Sequence, residues 1–198
     1  MARILKHFVF TLVLVFGVAP RLAFGDSPSE HIQETIQQVL SAMNGSASGG
    51  EAARKQSIRE TIMPRFDWPE MAKQTLGKHW DAVPTRQQEF IAAFVDFLGS
   101  TYVGRIGSYK DEKILFVQET VNDNRAQVNT KIVPNKGEPT SVNYQLHLVQ
   151  GEWKIYDVVV EDISLVSNYR SQFGRILAKG SFDDLLKMLT EKQSSQRN

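Results

Sequence analysis

Between residues 125 and 148 apolar and polar side chains alternate one by one. Ala126, Val128, Thr130 and Ile132 are interleaved with Arg125, Gln127, Asn129 and Lys131, and Val142, Tyr144, Leu146 and Leu148 with Ser141, Asn143, Gln145 and His147. A period of two gives a strand one dry face and one wet face, so both stretches must sit in a sheet with one side buried. Lys113 to Val121 and Glu152 to Val160 read as two further strands. The connectors Asn122-Asp123-Asn124, Pro134-Asn135-Lys136-Gly137 and Gln150-Gly151 are turn chemistry at hairpin spacing. The expectation is an antiparallel meander of about four strands.

Before Gly107 the period is near 3.6. Ser27-Pro28-Ser29-Glu30 offers an N-cap serine, proline at N1 and glutamate at N3, and Ile32, Ile36, Val39, Leu40 and Met43 then recur at helical spacing until Asn44 to Gly50 interrupts. A second helix is predicted over Glu51 to Met63. Asp67-Trp68-Pro69-Glu70 repeats the capping chemistry and opens a short helix that Gly77 closes. Thr85-Arg86-Gln87-Gln88 is read as a further cap, and behind it Phe90, Ile91, Phe94, Val95, Phe97, Leu98, Thr101, Tyr102 and Ile106 form a broad aromatic stripe on a helix of about twenty residues. Helical periodicity returns over Ile163 to Leu177 and Phe182 to Leu189, with Gly180-Ser181 as break and cap. Helices, then a meander, then helices make an α+β fold: a curved antiparallel sheet packed against helices, cone-like, with extra N-terminal helices.

Met1 to Gly25 differs in kind from the rest. It carries Arg3, Lys6 and Arg21, no acid, and the apolar run Phe8 to Phe16. The run is too short for the roughly twenty residues that span a bilayer, and Ala23 and Gly25 are small residues at the −3 and −1 positions of a cleavage site. Residues 1–25 are therefore expected to be a cleaved secretory signal peptide, and 26–198 a single domain in the periplasm. Three of the 23 basic residues, set against 22 acidic ones, lie in this segment, so the mature chain is slightly acidic. No excess of positive charge exists to hold a phosphate backbone, and nucleic acid is not an expected partner. The chain has no cysteine, which excludes thiol nucleophiles, Cys-based zinc sites and iron-sulfur clusters.

Little chemistry is visible in the motifs. His31, His79 and His147 are isolated from one another, and His147 falls on the wet face of its strand, where a solvated imidazole is expected; no metal or cofactor site is read. Gly104 and Gly107 follow a helix and precede a strand, the wrong order for a phosphate loop. Asp157, amid Trp153 to Val160, is either a general base in a dry pocket or an acceptor for a neighbouring backbone group, Tyr or Arg170. Glu161-Asp162 is read as the exit from the sheet into a helix N-terminus.

From Phe66 onward the residues resemble the MlaC-type family of periplasmic phospholipid carriers, also called the toluene-tolerance auxiliary family. Phe66-Asp67, Met71-Ala72 and Thr75-Leu76-Gly77-Lys78-His79-Trp80 are similar to its first segment. Gln88-Glu89-Phe90, Phe94, Leu98 and Thr101-Tyr102 are similar to the second, and Trp153 to Val158 with Ser164-Leu165, Asn168-Tyr169-Arg170 and Gln172-Phe173 to the third. The resemblance implies a fold akin to nuclear transport factor two around an apolar cavity for phospholipid acyl chains. It further implies traffic between an outer-membrane lipoprotein complex and an inner-membrane ABC transporter with a substrate-binding ring, maintaining outer-membrane lipid asymmetry, and no catalytic residues. A hopanoid or other apolar lipid as cargo, a small enzyme of the same fold using Asp157 as base, and an envelope adaptor with a solid core are the alternatives.

On that reading the cavity lining is supplied by Phe94, Leu98 and Tyr102 of the long helix, Val128, Ile132, Val142, Tyr144 and Leu146 of the central strands, Ile155 and Val159 of the last strand, and Leu165, Tyr169 and Phe173 of the helix after it. Arg170, Lys154 and Arg105 are candidates for a phosphate at the mouth or, alternatively, ordinary surface charges.

Overall fold

The computed structural model describes residues 27–45, 50–106 and 112–195. The signal-peptide reading of residues 1–25 lies outside them. The chain runs α1 (Pro28–Gly45), α2 (Gly50–Ile62), α3 (Trp68–Leu76), α4 (Gln87–Ile106), β1 (Lys113–Asn122), β2 (Arg125–Val133), β3 (Thr140–Val149), β4 (Glu152–Val160), β5 (Ile163–Ser164), α5 (Leu165–Leu177) and α6 (Phe182–Ser195). Within the described residues, no helix is long and apolar enough to cross a membrane.

Helix starts follow the expected side chains in three places. Ser27 N–H donates to the Glu30 carboxylate at 2.7 Å while Ser27 Oγ accepts from Glu30 N at 3.2 Å, a reciprocal box that satisfies two otherwise orphan donors. Asp67 Oδ1 accepts from Glu70 N at 3.0 Å, and Ser181 with Asp184 repeats the box on α6. The entry to α4 differs. The chain reaches it through a 3-10 turn over Pro84–Arg86 without a capping side chain at Val83, and Arg86 instead bonds Glu89 and Asp183, tying the start of α4 to α6.

The strands pair in the order β1-β2-β3-β4-β5, each antiparallel to the next. The fifth strand corrects the sequence reading. Glu161 and Asp162 both have positive φ, 47° and 61°, and form a two-residue turn that folds Ile163–Ser164 back onto Val160 and Val159. Such turns normally advertise themselves with Asn or Gly, which tolerate the left-handed conformation; Glu-Asp does not. The turn is held by the Glu161 carboxylate accepting from Ser141 N and by Glu161 N donating to Ser141 O.

The register carries a second correction. Gln145 faces Asp157 but Leu146 faces Ile155, so Tyr156 is an extra residue, a β-bulge in β4. Strict alternation would keep Ile155, Asp157 and Val159 on one side of the sheet. The bulge instead puts Val158 and Val160 beside Ile155, and moves Asp157 and Val159 to the face of Gln145 and Asn143.

Three buried clusters hold the molecule together. A helical core joins α3, α4, α5 and α6 through Met71, Leu76, Phe90, Phe94, Phe173 and Leu185. A second cluster packs Ile32 of α1 on Ala126, Val128, Leu146 and Ile155 of the sheet. A third joins α1, α2 and the end of α4 through Val39, Ile58 and Val103. Phe66, just before α3, touches both the helical core and the sheet cluster.

Candidate functional site

Cross-strand pairing sorts the dry face of the sheet into rows. The first is Val121, Ala126, Leu146 and Ile155, and the second Glu119, Val128, Tyr144 and Val158. The third crosses all five strands as Phe116, Thr130, Val142, Val160 and Ile163, and the fourth is Ile114, Ile132 and Thr140. Helix α1 closes over the first two rows through Ile32, with Ile36, Tyr144 and Val158 at the margin. Among the described residues, the side chains of the third and fourth rows belong to none of the buried clusters. An apolar strip therefore runs across one end of the sheet, its middle buried at Thr130 and Val142 and its two ends, Phe116 and Ile163, exposed.

The aromatic stripe of α4 behaves differently from the expectation that it lies on the sheet. Phe94 meets Phe173 and Tyr169 edge-on with centroids 6.1 and 6.2 Å apart, Phe97 meets Tyr169 at 5.4 Å, and Phe90 meets Phe173 at 5.9 Å. These are favourable aromatic geometries, and Phe90, Phe94 and Phe173 have no exposed surface. The rings satisfy each other within the helical core.

The thirteen candidate lining residues are thus distributed, not gathered. Phe94, Leu98, Tyr169 and Phe173 are in the helical core, with Tyr102 and Leu165 at its margin, where the Tyr102 and Tyr169 hydroxyls stand 3.3 Å apart. Val128, Leu146 and Ile155, with Tyr144 alongside, are in the sheet cluster. Val142, itself buried, and half-buried Ile132 are on the strip outside these clusters, and Val159 is on the opposite face of the sheet. Two surface depressions touch none of them: one is lined by Glu34, Gln37, Gln38, Ser41 and Thr61, the other by Gln172, Arg175, Ile176, Lys179, Gly180 and Asp184. The first has no apolar side chain in its lining, and the second has Ile176 among the charged Arg175, Lys179 and Asp184, so neither is an apolar cavity able to replace the surroundings of an acyl chain.

The polar candidates are fasteners. Asp157 Oδ1 accepts from Val158 N at 2.8 Å and Val166 N at 3.0 Å, and Oδ2 from Ser164 Oγ at 2.5 Å. Its carboxylate holds β4 to the start of α5, the second of the two roles open to it from sequence. Arg170 Nε donates to Gln74 O at 2.6 Å, clamping α5 to α3 beside Gly77, and Lys154 Nζ donates to Pro64 O and to Glu152. Arg105 has no described side chain. No group of three or more His, Asp or Glu able to hold a metal occurs among the described residues.

Sequence reasoning missed one contact. His147, expected in solvent, donates from Nε2 to Asp67 Oδ2 at 2.9 Å, and its ring lies 5.1 Å from that of Tyr156, over which Arg125 also sits at 5.5 Å. Asp67 N in turn donates to Ile155 O at 2.8 Å. The segment Phe66-Asp67 is therefore pinned to the sheet by backbone and side chain together.

The sequence model of the family described as MlaC protein matches residues 33–191. The chain belongs to the MlaC family. The MlaC match begins inside α1 and ends inside α6, so it takes in all five strands and, apart from Ile32, the residues of the three buried clusters. The chain is 23% identical to the toluene tolerance protein ttg2D of Pseudomonas putida, over 92% of this chain and 87% of that protein. It is 21% identical to the intermembrane phospholipid transport system binding protein MlaC of Haemophilus influenzae, over 94% of this chain and 92% of that protein. In fold it matches the phospholipid-binding protein of Ralstonia solanacearum, solved in complex with a phospholipid, with a TM-score of 0.76 at 22% identity, over 85% of this chain and 98% of that one.

Proposed function

We propose that this chain is a non-enzymatic phospholipid carrier of the periplasm, exported by a signal peptide cleaved after Gly25. In this reading it moves lipid between an outer-membrane lipoprotein complex and an inner-membrane ABC transporter with a substrate-binding ring, and so maintains outer-membrane lipid asymmetry. The supporting observation is the apolar strip of the sheet, Ile114, Phe116, Ile132, Val142 and Val160, which belongs to no buried cluster among the described residues, in a chain of the MlaC family. A phospholipid is bound in the Ralstonia relative of the same fold.

The energetics require a covered site. Bringing an acyl chain of about fifteen methylenes into water costs on the order of 12 kcal/mol, at about 0.8 kcal/mol each. Carriage is possible only if protein surface replaces the bilayer around the chain nearly one for one. The helical core is already filled by its own rings, so in this reading the acyl chains lie over the third and fourth rows of the sheet. Binding close in free energy to the membrane, with partners shifting the balance at each end, lets the same carrier load and release.

Purification without detergent, solvent extraction and mass spectrometry test this reading. Phospholipid in near-stoichiometric amount is the expected result. A protein that is empty on purification and stays empty after incubation with phospholipid vesicles overturns it, and a hopanoid in place of phospholipid changes the cargo.

A further inference from the structure

The apolar strip does not end inside the protein. At one end of its third row Phe116 is 39% exposed, flanked along edge strand β1 by Leu115 at 51% and Val117 at 57%. At the other end Val160 is 39% and Ile163 63% exposed, on the hairpin held by the left-handed Glu161 and Asp162. The row between them, Thr130 and Val142, is buried. Large apolar side chains are thus presented to solvent on both flanks of the strip, and water-facing residues of this size in one band are uncommon on proteins that meet only water.

We infer that this end of the sheet docks directly on the lipid surface of a bilayer, with Leu115, Phe116 and Val117 on one side and Val160 and Ile163 on the other set into the headgroup layer, so that an acyl chain passes from the bilayer into the strip without crossing water. The inference rests on the carrier reading above. Three observations favour a lipid surface over other occupants. Phe116, Val160 and Ile163 lie on one register row with the surface proposed to hold the acyl chains, and Leu115, on the opposite face, and Val117, the extra residue of a bulge in β1, extend the apolar edge beside Phe116. They flank that surface on both sides, as a lip around an entrance requires. The charges nearby are mixed, with Lys113, Lys131 and Lys136 balanced by Glu112, Glu138, Glu161 and Asp162, so the contact is apolar and has no need of anionic lipid. The depth is shallow: β1 carries unpaired backbone groups along its outer edge, which must stay among headgroups and water and out of the hydrocarbon.

Vesicle flotation and lipid transfer test it with the exported protein. Zwitterionic phosphatidylcholine vesicles should carry the protein upward in a density gradient, to the same extent at low and high salt. Replacing Leu115 and Val117 together, L115S with V117S, should lower vesicle binding at least about tenfold, the equivalent of losing part of two inserted side chains. It should slow transfer of a fluorescent phospholipid between vesicles by a similar factor. Leu115 and Val117 are exposed and lie outside the rows proposed to hold the acyl chains, so thermal stability and the amount of co-purified phospholipid should stay at wild-type values. No flotation with these vesicles overturns the inference, as does flotation that the double substitution leaves unchanged. Binding that appears only on anionic vesicles and vanishes in salt overturns it in favour of an electrostatic contact. A double variant that transfers normally between bare vesicles and fails only when membrane proteins are present assigns the lip to a protein partner and overturns it too. Loss of docking with retained lipid content leaves the carrier reading standing, and a wild-type protein that never holds lipid removes both.

Discussion

Replacing Asp157 by alanine should destabilise the fold strongly, and the structure gives the size of the effect. The carboxylate is buried and accepts three hydrogen bonds, from Val158 N, Val166 N and Ser164 Oγ. Two of the donors are then left without a charged acceptor in the first turn of α5 and at β5. The Ser164 hydroxyl has a second duty, accepting from Ser167 N at 3.0 Å as the N-cap of α5, and the bond to Asp157 fixes the rotamer that makes this possible. Hydrogen bonds to charged groups contribute about 1.5–3 kcal/mol each, and an N-cap about 1 kcal/mol. The bonds are not additive, so a loss of about 3–5 kcal/mol is expected for D157A. Asparagine keeps one acceptor for Val166 N but turns its amide donors toward another donor, and D157N should lose about 1–2 kcal/mol. Equilibrium urea unfolding followed by tryptophan fluorescence and by far-ultraviolet circular dichroism measures both. A D157A protein with the wild-type midpoint would refute the fastening role and reopen Asp157 as a group kept for chemistry.

Three further outcomes follow from other parts of the structure. I132Q, a half-buried change on the strip, should lower co-purified phospholipid severalfold while shifting stability by less than about 1 kcal/mol, read by mass spectrometry and thermal unfolding. G77A should cost about 1–3 kcal/mol, because Gly77 has φ 54° and ψ −123°, a region closed to side-chain-bearing residues, and the new methyl would sit 3.5 Å from the Arg170 side chain that clamps α5 to α3. The Asp184 carboxyl is held below its ordinary value by the Ser181 backbone N–H, so its stabilisation of the α6 start is complete above the ordinary aspartate value of about 3.9 and is lost as pH falls through the lower folded value. Hydrogen exchange of the first turn of α6 should accelerate over that acid range in the wild type, and D184N should remove the pH dependence.

What was legible in the amino acids was the local grammar. Period-two stretches at 125–132 and 141–148, the Ser27-Glu30 and Asp67-Glu70 caps and the break at Gly180-Ser181 all determine their own conformation from neighbours a few residues away. What stayed hidden depends on residues far apart or on a single inserted position. His147 looks like any wet-face residue until the fold brings it to Asp67, 80 positions earlier. The aromatic face of α4 declares that it will be buried, but not against what, and its rings find α5 and α6, not the sheet. The hairpin at Glu161-Asp162 carries no glycine or asparagine to announce it. Of the candidate lining, alternation alone puts the strand positions Val142 and Ile132 on the dry face where the structure has them, whereas it puts Val159 on the wrong face because it cannot reveal the extra residue at Tyr156.

That extra residue has a consequence for how this strand can change over time. Upstream of Tyr156 odd positions point to the oily side of the sheet and downstream of it even ones do. Point substitutions on either half are judged locally, side chain by side chain. Loss or gain of one codon between Lys154 and Val158 would instead turn one half of the strand over as a block, sending valines outward and the Asp157 fastening inward, so this stretch should drift in composition across descendants while its length stays fixed.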